Sequence, residues 1–294
     1  MSMSNRPVSD ERVAWLRQVR REKTAVNITK IGLLVGLFVL WEVAARAGWI
    51  DPFITSQPTR VIATLHNLWS RGELMHHLLV TTGEAVAGFL SGTILGTLIA
   101  ILLWCSSFLC KVLEPYLVVL NSLPKIALGP IFIVWIGAGP FAIVVITLTI
   151  SIVVTILEVL NGFLATDTEK IRLVQTFGAG KLTTLRKVVL PANVPTILAS
   201  LKINVGMSWV GVIVGEFLIS KAGLGYLIVY GSQVFQLDLV MASVVILATV
   251  AAAMYFCIQY FEQKISRRRG IGRLTFARLM KTWLNEFLLR RGYR

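Results

Sequence analysis

The chain has 294 residues, 55% of them hydrophobic and only 15% charged, and a net charge of +14. A soluble domain carries about 25% charged residues, so this composition excludes an ordinary soluble enzyme and points to a single integral membrane domain. Nearly all basic residues lie outside the apolar runs, where they act as topology signals and contacts for anionic lipid rather than as a nucleic-acid site.

Residues 1–30 form a basic segment expected to be cytoplasmic, with a helix over residues 10–28 and no small-residue cleavage site after it. The transmembrane domain is expected over residues 31–262. A membrane-spanning helix needs about 20 mostly apolar residues. Six runs qualify: Ile31–Ile50, Ala85–Cys105, Leu113–Gly137, Phe141–Leu160, Ile197–Ser220 and Leu239–Phe261. Between the first two, Pro58–Trp69 starts on a proline and predicts a short surface helix. In the second run, Gly88, Gly92 and Gly96 recur every four residues on one helix face, the spacing that lets helix backbones approach closely. Gly211 and Gly215 repeat it in the fifth run. Pro124 and Pro130 interrupt the third run, so a kink or a break is expected there. A break in lipid needs neighbouring helices or a watery cavity to satisfy its backbone.

Between the fourth and fifth runs lies a polar loop, residues 162–194. Asp167-Thr168-Glu169 signals a helix start. Ile171, Val174 and Phe177 share one face of that helix. Gly178-Ala179-Gly180 breaks it, and a second basic helix, Lys181 to Val189, is expected to end at Leu190-Pro191. Such a helix–Gly–helix unit can insert into a groove on a partner; the alternative is a plain solvated loop. Gly178-Ala179-Gly180-Lys181 is not a phosphate loop. Gln175 and Leu182 stand where that pattern needs Gly and Ser or Thr, and no strand precedes it.

With a cytoplasmic N-terminus, 23 of the 29 Lys and Arg fall on the cytoplasmic side, including those of the 162–194 loop. Both termini are therefore expected inside. Residues 263–294 form a basic tail in which Phe276, Leu279, Met280, Trp283, Leu284, Phe287 and Leu288 recur at helical spacing. That pattern suits either an anionic membrane surface or another protein surface.

Ionisable groups within spans are costly and mark candidate pathway positions. Lys125, between the two prolines, and Glu216, near the outer end of the fifth run, either line or gate a pathway, or form a buried ion pair or a bond to backbone opened by proline. Asn121, Ser122, Asn204, Ser208 and Trp209 are further candidates for polar lining. Cys105, Cys110 and Cys257 read as packing residues. His66, His76 and His77 cluster in the outer loop, where solvated or interfacial histidines are the expectation, a metal site is the alternative, and no metal ligand is assigned. No hydrolase or protease motif occurs, so no catalytic residue is expected.

The chain resembles the permease subunits of type I ABC importers, and among them the nitrate/sulfonate/taurine subgroup. That family's loop reads Glu-Ala-Ala, three residues, Gly, nine residues, Ile-x-Leu-Pro. Gly178, Leu190 and Pro191 match, with Val188 at the Ile position; Arg172, Leu173 and Val174 replace Glu-Ala-Ala. Asn121 to Pro130, Ile133 to Gly137, Val214 to Phe217 and Gly223 to Gly225 also resemble the subgroup.

The resemblance implies an all-α membrane protein of about six spans that holds no cofactor. MgATP would be used by separate ATPase subunits docked on the loop through Arg172, Val174, Phe177, Gly178, Ala179, Gly180, Val188, Leu190 and Pro191. It also implies a second permease subunit, with a homodimer the simpler arrangement, and an extracytoplasmic substrate-binding protein in a bacterial plasma membrane. Its substrates are nitrate, sulfonates, taurine or a vitamin precursor such as the thiamine pyrimidine. The competing function is an ATPase-independent secondary transporter or channel, which would show two similar halves and midplane acids.

Overall fold

The computed structural model describes residues 10–268; residues 1–9 and the amphipathic tail carrying Phe276, Trp283 and Phe287 lie outside the described residues. Among the described residues every regular element is a helix.

Helix α1 (Asp10–Arg46) runs unbroken from the basic segment through the first apolar run. Its apolar side chains are largely exposed, as a helix facing lipid requires. Its end is fastened by Glu42, which accepts from the Thr59 amide at 3.1 Å and the Thr59 hydroxyl at 3.0 Å, and pairs with Arg46 at 2.7 Å. A short turn, α2 (Pro52–Thr55), is capped by Asp51. Then comes α3 (Pro58–Ser70), the surface helix expected from its leading proline. Arg60 of α3 pairs with Asp238 at 3.1 Å, and Ser56 donates to the same carboxylate at 2.7 Å.

Helix α4 (Glu73–Cys105) begins twelve residues before the expected second span. At 1.5 Å per residue it measures about 50 Å, well beyond a hydrocarbon core of about 30 Å, so part of it projects. Ser106 ends α4 and caps α5 (Ser107–Ser122), accepting from the Leu109 amide at 3.3 Å. The expected break follows. After Pro124 a 3₁₀ turn (Lys125–Leu128) leads into α6 (Gly129–Ile136), and the two limbs are bent by 88°. Proline at 124 denies the helix a donor, and Pro130 re-enters a helix at its first turn, where its missing N–H costs nothing.

Helix α7 (Pro140–Leu164) is the most enclosed element, packed against α4 and α10. Next are α8 (Thr168–Thr176) and α9 (Lys181–Thr184). The chain then continues through a π-helical turn, Leu185–Val189, into α10 (Leu190–Ile219). The expected stop at Leu190-Pro191 does not occur: Lys181–Ile219 is helical throughout. The π turn explains it. The Leu190 amide bonds to the Leu185 carbonyl, five residues back. That wider turn accommodates a proline lacking its own donor.

A further short helix not foreseen from sequence, α11 (Leu224–Gln233), packs on α12 (Leu237–Arg268). Among the described residues five helices are long and apolar enough to span a membrane, or up to six spans if the bent α5–α6 pair counts as one.

The bundle core is α4, α7 and α10. The glycine faces explain how close they come. A Cβ on Gly88 would collide with Thr147 Cγ2, one on Gly92 with Ser151 Oγ, and one on Gly96 would sit 2.6 Å from Thr155 Cβ. From the other side, a Cβ on Gly211 would lie 2.6 Å from Thr147 Cα, and one on Gly215 2.9 Å from Ile143 Cγ2. Thr147 is thus gripped between two glycine-bearing helices. In lipid, close backbone packing of this kind replaces the hydrophobic drive that holds soluble helices together.

Candidate functional site

The loop of residues 162–194 is built on a buried base. Leu185 and Val189 are enclosed with Ala100, Leu103, Leu160 and Phe163 from α4 and α7. Asn193 donates to the Thr166 hydroxyl at 2.6 Å and to the Val189 carbonyl at 2.9 Å, tying the loop's start to its end. Gly162 lies beneath, where a Cβ would stand 2.7 Å from Thr196 Cγ2. Asp167 caps α8 by accepting from the Glu169 amide at 3.0 Å, and pairs with Lys170 at 3.4 Å. The Glu169 amide first, then Lys170, hold the Asp167 carboxyl below the ordinary carboxylate range.

At its tip the loop turns on Gly178, whose φ of +80° lies in the left-handed region with open space around it. The Gly178 amide bonds to the Gln175 carbonyl and the Ala179 amide to the Val174 carbonyl, closing α8. Gly180 then opens α9 from an extended conformation.

The expected apolar face divides. Ile171 and Val174 are half-buried, and Ile171 packs on the bundle; Phe177 is 83% exposed. Leu173 and Leu182 are exposed with it, among the exposed bases Arg172, Lys181, Arg186 and Lys187. Val188 and Leu190 are half-buried and Pro191 is exposed.

The pathway candidates separate into two groups. Asn121 and Ser122 are exposed at the end of α5, and Lys125 sits at the break. Lys125 Nζ donates to the Asn121 carbonyl at 3.0 Å. Of the alternatives weighed for Lys125, this is the bond to backbone opened by proline.

Asn204, Ser208, Trp209 and Glu216 are instead buried inside the bundle. Asn204 donates to Thr155 at 2.6 Å and Thr93 at 3.2 Å, joining α10 to both neighbours, and Ser208 donates to the Asn204 carbonyl at 2.7 Å. Glu216 has no ion-pair partner among the described residues. It accepts from the Thr81 hydroxyl at 2.6 Å and the Gly225 amide at 2.5 Å, tying α10 to α4 and α11. In this conformation Asn204 and Glu216 brace helices within one subunit, Ser208 bonds within α10, Trp209 packs in an apolar cluster, and the exposed polar positions are those of the broken α5–α6 span.

Sequence reasoning missed Glu84, which is buried on α4 beside Glu216. The second apolar run was started at Ala85, one residue too late to include it. Lys202, an ionisable residue within the fifth run for which snorkelling or pairing is the expectation, pairs with Glu262 at 2.7 Å, a partner the sequence does not single out. At the end of the bundle opposite the loop, a cavity of about 870 Å³ is lined by residues including Arg60, Arg71, His76, His77 and Lys221. Among the described residues no three His, Cys, Asp or Glu side chains come together as a metal site.

The family described as binding-protein-dependent transport system inner membrane component matches residues 92–270. A probable ABC transporter permease protein of Haemophilus influenzae is 31% identical over 237 residues, covering 80% of this chain and 96% of that protein. The putative aliphatic sulfonates transport permease protein SsuC of Bacillus subtilis is 28% identical over 234 residues, 80% of this chain and 85% of its own. Among solved structures, a bacterial ABC transporter involved in the import of the acidic polysaccharide alginate has a similar fold. Its TM-score is 0.60 at 16% identity, with 87% of this chain and 98% of that one covered.

Proposed function

The chain belongs to the binding-protein-dependent transport system inner membrane components, the permease subunits of ABC importers, in their nitrate/sulfonate/taurine subgroup, and from that premise we propose that the 162–194 loop is where a separate ATPase subunit docks. The observation that carries this is the contrast within the loop. Its base is locked into the bundle by Leu185, Val189 and Asn193, while Phe177, Leu173 and Leu182 stand exposed at its tip. Exposed apolar anchors ringed by Arg172, Lys181, Arg186 and Lys187 suit a groove with an acidic rim.

In this reading both termini and the loop are cytoplasmic, as the Lys and Arg distribution favours. MgATP is consumed by the partner ATPase. Two copies of the chain, surrounded by lipid in a bacterial inner membrane, enclose the pathway, and a substrate-binding protein feeds it from outside. The broken α5–α6 span with exposed Asn121 and Ser122 and half-buried Lys125 supports a pathway along that face, because interrupted helix is tolerated only against protein or a watery cavity. The cargo is a small anion of the sulfonate, taurine or nitrate type, or a vitamin precursor. Relatives named for aliphatic sulfonate, taurine and formylaminopyrimidine transport support the sulfonate, taurine and vitamin-precursor parts of that range. Family membership leaves an ATPase-independent carrier without an observation in its favour.

Phe177→Asp tests the docking role. The side chain is 83% exposed, so the permease should fold and melt as wild type. Loss of an aromatic anchor costs about 2 kcal/mol, roughly thirtyfold in association, so ATPase co-purification and ATP-driven uptake should both collapse. Wild-type co-purification with normal uptake would remove the loop from the docking interface. Gly178→Val, which strains the positive-φ turn, should give the same outcome.

A further inference from the structure

The bundle end opposite the loop buries two acids on facing helices, α4 and α10. Glu84 is 6% exposed and Glu216 1%. Glu216 is well supplied with donors, from the Thr81 hydroxyl and the Gly225 amide. Neither oxygen of Glu84 has a hydrogen-bond partner among the described residues, and Glu84 stands one turn along α4 from Thr81, whose hydroxyl is bonded to Glu216. Glycines press close on the other side. A Cβ on Gly225 would lie 2.6 Å from Glu216 Oε2, and Gly223 is equally tight against the same carboxylate.

The surrounding elements bring no base to the pair. On α4, His77 is two turns nearer the helix start and uses Nδ1 to accept from the Gly223 amide at 2.9 Å, with His76 and Glu73 beyond it. The only ionisable group of α7 is Glu158, toward the opposite end. On α10, Lys202 is engaged by Glu262 of α12, fourteen residues from Glu216. Lys221, in the loop after α10, is exposed, and α11 contributes Tyr226 and Tyr230. Asp238 of α12 is held by Arg60.

Two carboxylates cannot share a hydrogen bond without a proton between them, and two like charges in a dry site cannot both persist. We propose that Glu84 and Glu216 form a proton-binding site, with one proton carried on Glu84 and donated to Glu216. The proton fastens three elements. It links α4 to α10 directly, and it leaves Glu216 free to hold the Gly225 amide at the start of α11. Thr81 closes the same knot by accepting from the Leu224 amide at 2.7 Å while donating to Glu216. Withdrawal of the proton leaves two buried anions with no facing cation, and the α10–α11 turn is the part that yields. The site thus makes the far end of the permease alkali-sensitive, independently of what docks on the loop.

Infrared spectroscopy of the purified full chain in lipid reads the proton directly. Surface carboxyls are ionised at neutral pH, so a carboxylic C=O band present there and shifted by D2O reports a buried acid. We expect that band in wild type, its loss on alkaline titration, and its absence in Glu84→Gln. The glutamine amide donates to Glu216 as the acid does, so Glu84→Gln should melt with wild type at neutral pH. As pH rises, wild type should lose melting temperature and Glu84→Gln should not. No such band at neutral pH in wild type overturns the proposal, and this needs no variant to fold. So does a wild-type alkaline melting point restored by sodium but not by N-methylglucamine at equal ionic strength, which would make the ligand a metal cation.

Discussion

Replacing Gly211 with alanine should destabilise the bundle in a way no side-chain change at the contact can undo. The added methyl would lie 2.6 Å from Thr147 Cα, against about 3.5–4.0 Å for an unstrained carbon pair. The obstacle is backbone, so α10 must move about 1 Å away from α7. That displacement would also loosen the Gly215–Ile143 contact one turn on. Overpacking of this size costs about 1–3 kcal/mol, enough to lower a melting point by several degrees.

Gly88→Ala presses the same threonine from α4, but there the nearest atom is Thr147 Cγ2. Thr147→Ser deletes that atom and keeps the hydroxyl bond to the Ile143 carbonyl at 2.8 Å. In a double-mutant cycle followed by thermal unfolding in lipid nanodiscs, Thr147→Ser should recover about 1 kcal/mol of the Gly88→Ala loss. It should recover none of the Gly211→Ala loss. Wild-type stability for Gly211→Ala, or its rescue by Thr147→Ser, would refute the backbone-contact account of this core.

Lys202→Met should cost about 1–2 kcal/mol, because the pair with Glu262 is about three-quarters buried (26% and 23% exposed) and its loss strands an acid among apolar helices. The double variant Lys202→Met/Glu262→Gln should be more stable than the single one, and equal melting points would show that the ion pair carries no weight. Asp167 should make the start of α8 acid-sensitive. A carboxyl held below its ordinary value contributes stability above that value and loses it as pH falls through the lowered one. The protection factor over residues 168–176, corrected for the intrinsic exchange rate at each pH, should therefore be constant around neutrality and fall on acidification. In Asp167→Asn, which still caps, it should stay flat; an unchanged acid response in that variant would assign the effect elsewhere. Asn193→Leu removes the 2.6 Å bond to Thr166 and should cost about 1–3 kcal/mol, read as faster exchange across residues 166–193 with Phe177 still exposed.

The close helix packing was legible because glycine leaves a period of four in α4, but only half of the contact was readable. The surface it meets, Thr147, Ser151 and Thr155, has the same period in α7. It passes unnoticed because threonine and serine in an apolar helix satisfy themselves on the preceding turn, as Thr147 and Thr155 do. The break after Ser122 was legible from Pro124 and Pro130, while its 88° bend depends on how α6 packs on α7. Pro191 misled for a local reason. A proline ends a helix when its ring meets a regular turn, and here the preceding turn is π-helical. Glu84 was hidden by its surroundings. The polar stretch Glu73–Glu84 lowers hydropathy and so moves the apparent span start, yet nothing in it stops a helix. The polar residues of α10 were readable as unusual in lipid but not as lining or bracing, since that depends on which neighbours face them.

Those bracing residues bear on how a force applied at the loop would travel. Asn204 bonds to both Thr93 and Thr155, so α10 is pinned to α4 and α7 near its middle. Thr147 pins the same three helices further along, between Gly88 and Gly211, and Glu216 closes the series at the far end through Thr81. Helices held by backbone contact and buried hydrogen bonds at three levels cannot slide past one another without breaking several at once. A push on the loop base at Leu185 and Val189 would therefore displace the triad as one body. The joints that remain soft are the ones outside it: the bent α5–α6 segment, the α10–α11 turn under Glu216, and α1, which is fastened chiefly at Glu42. Motion that opens the proposed route past Asn121, Ser122 and Lys125 would have to be taken up there, between a rigid core and its flanking helices.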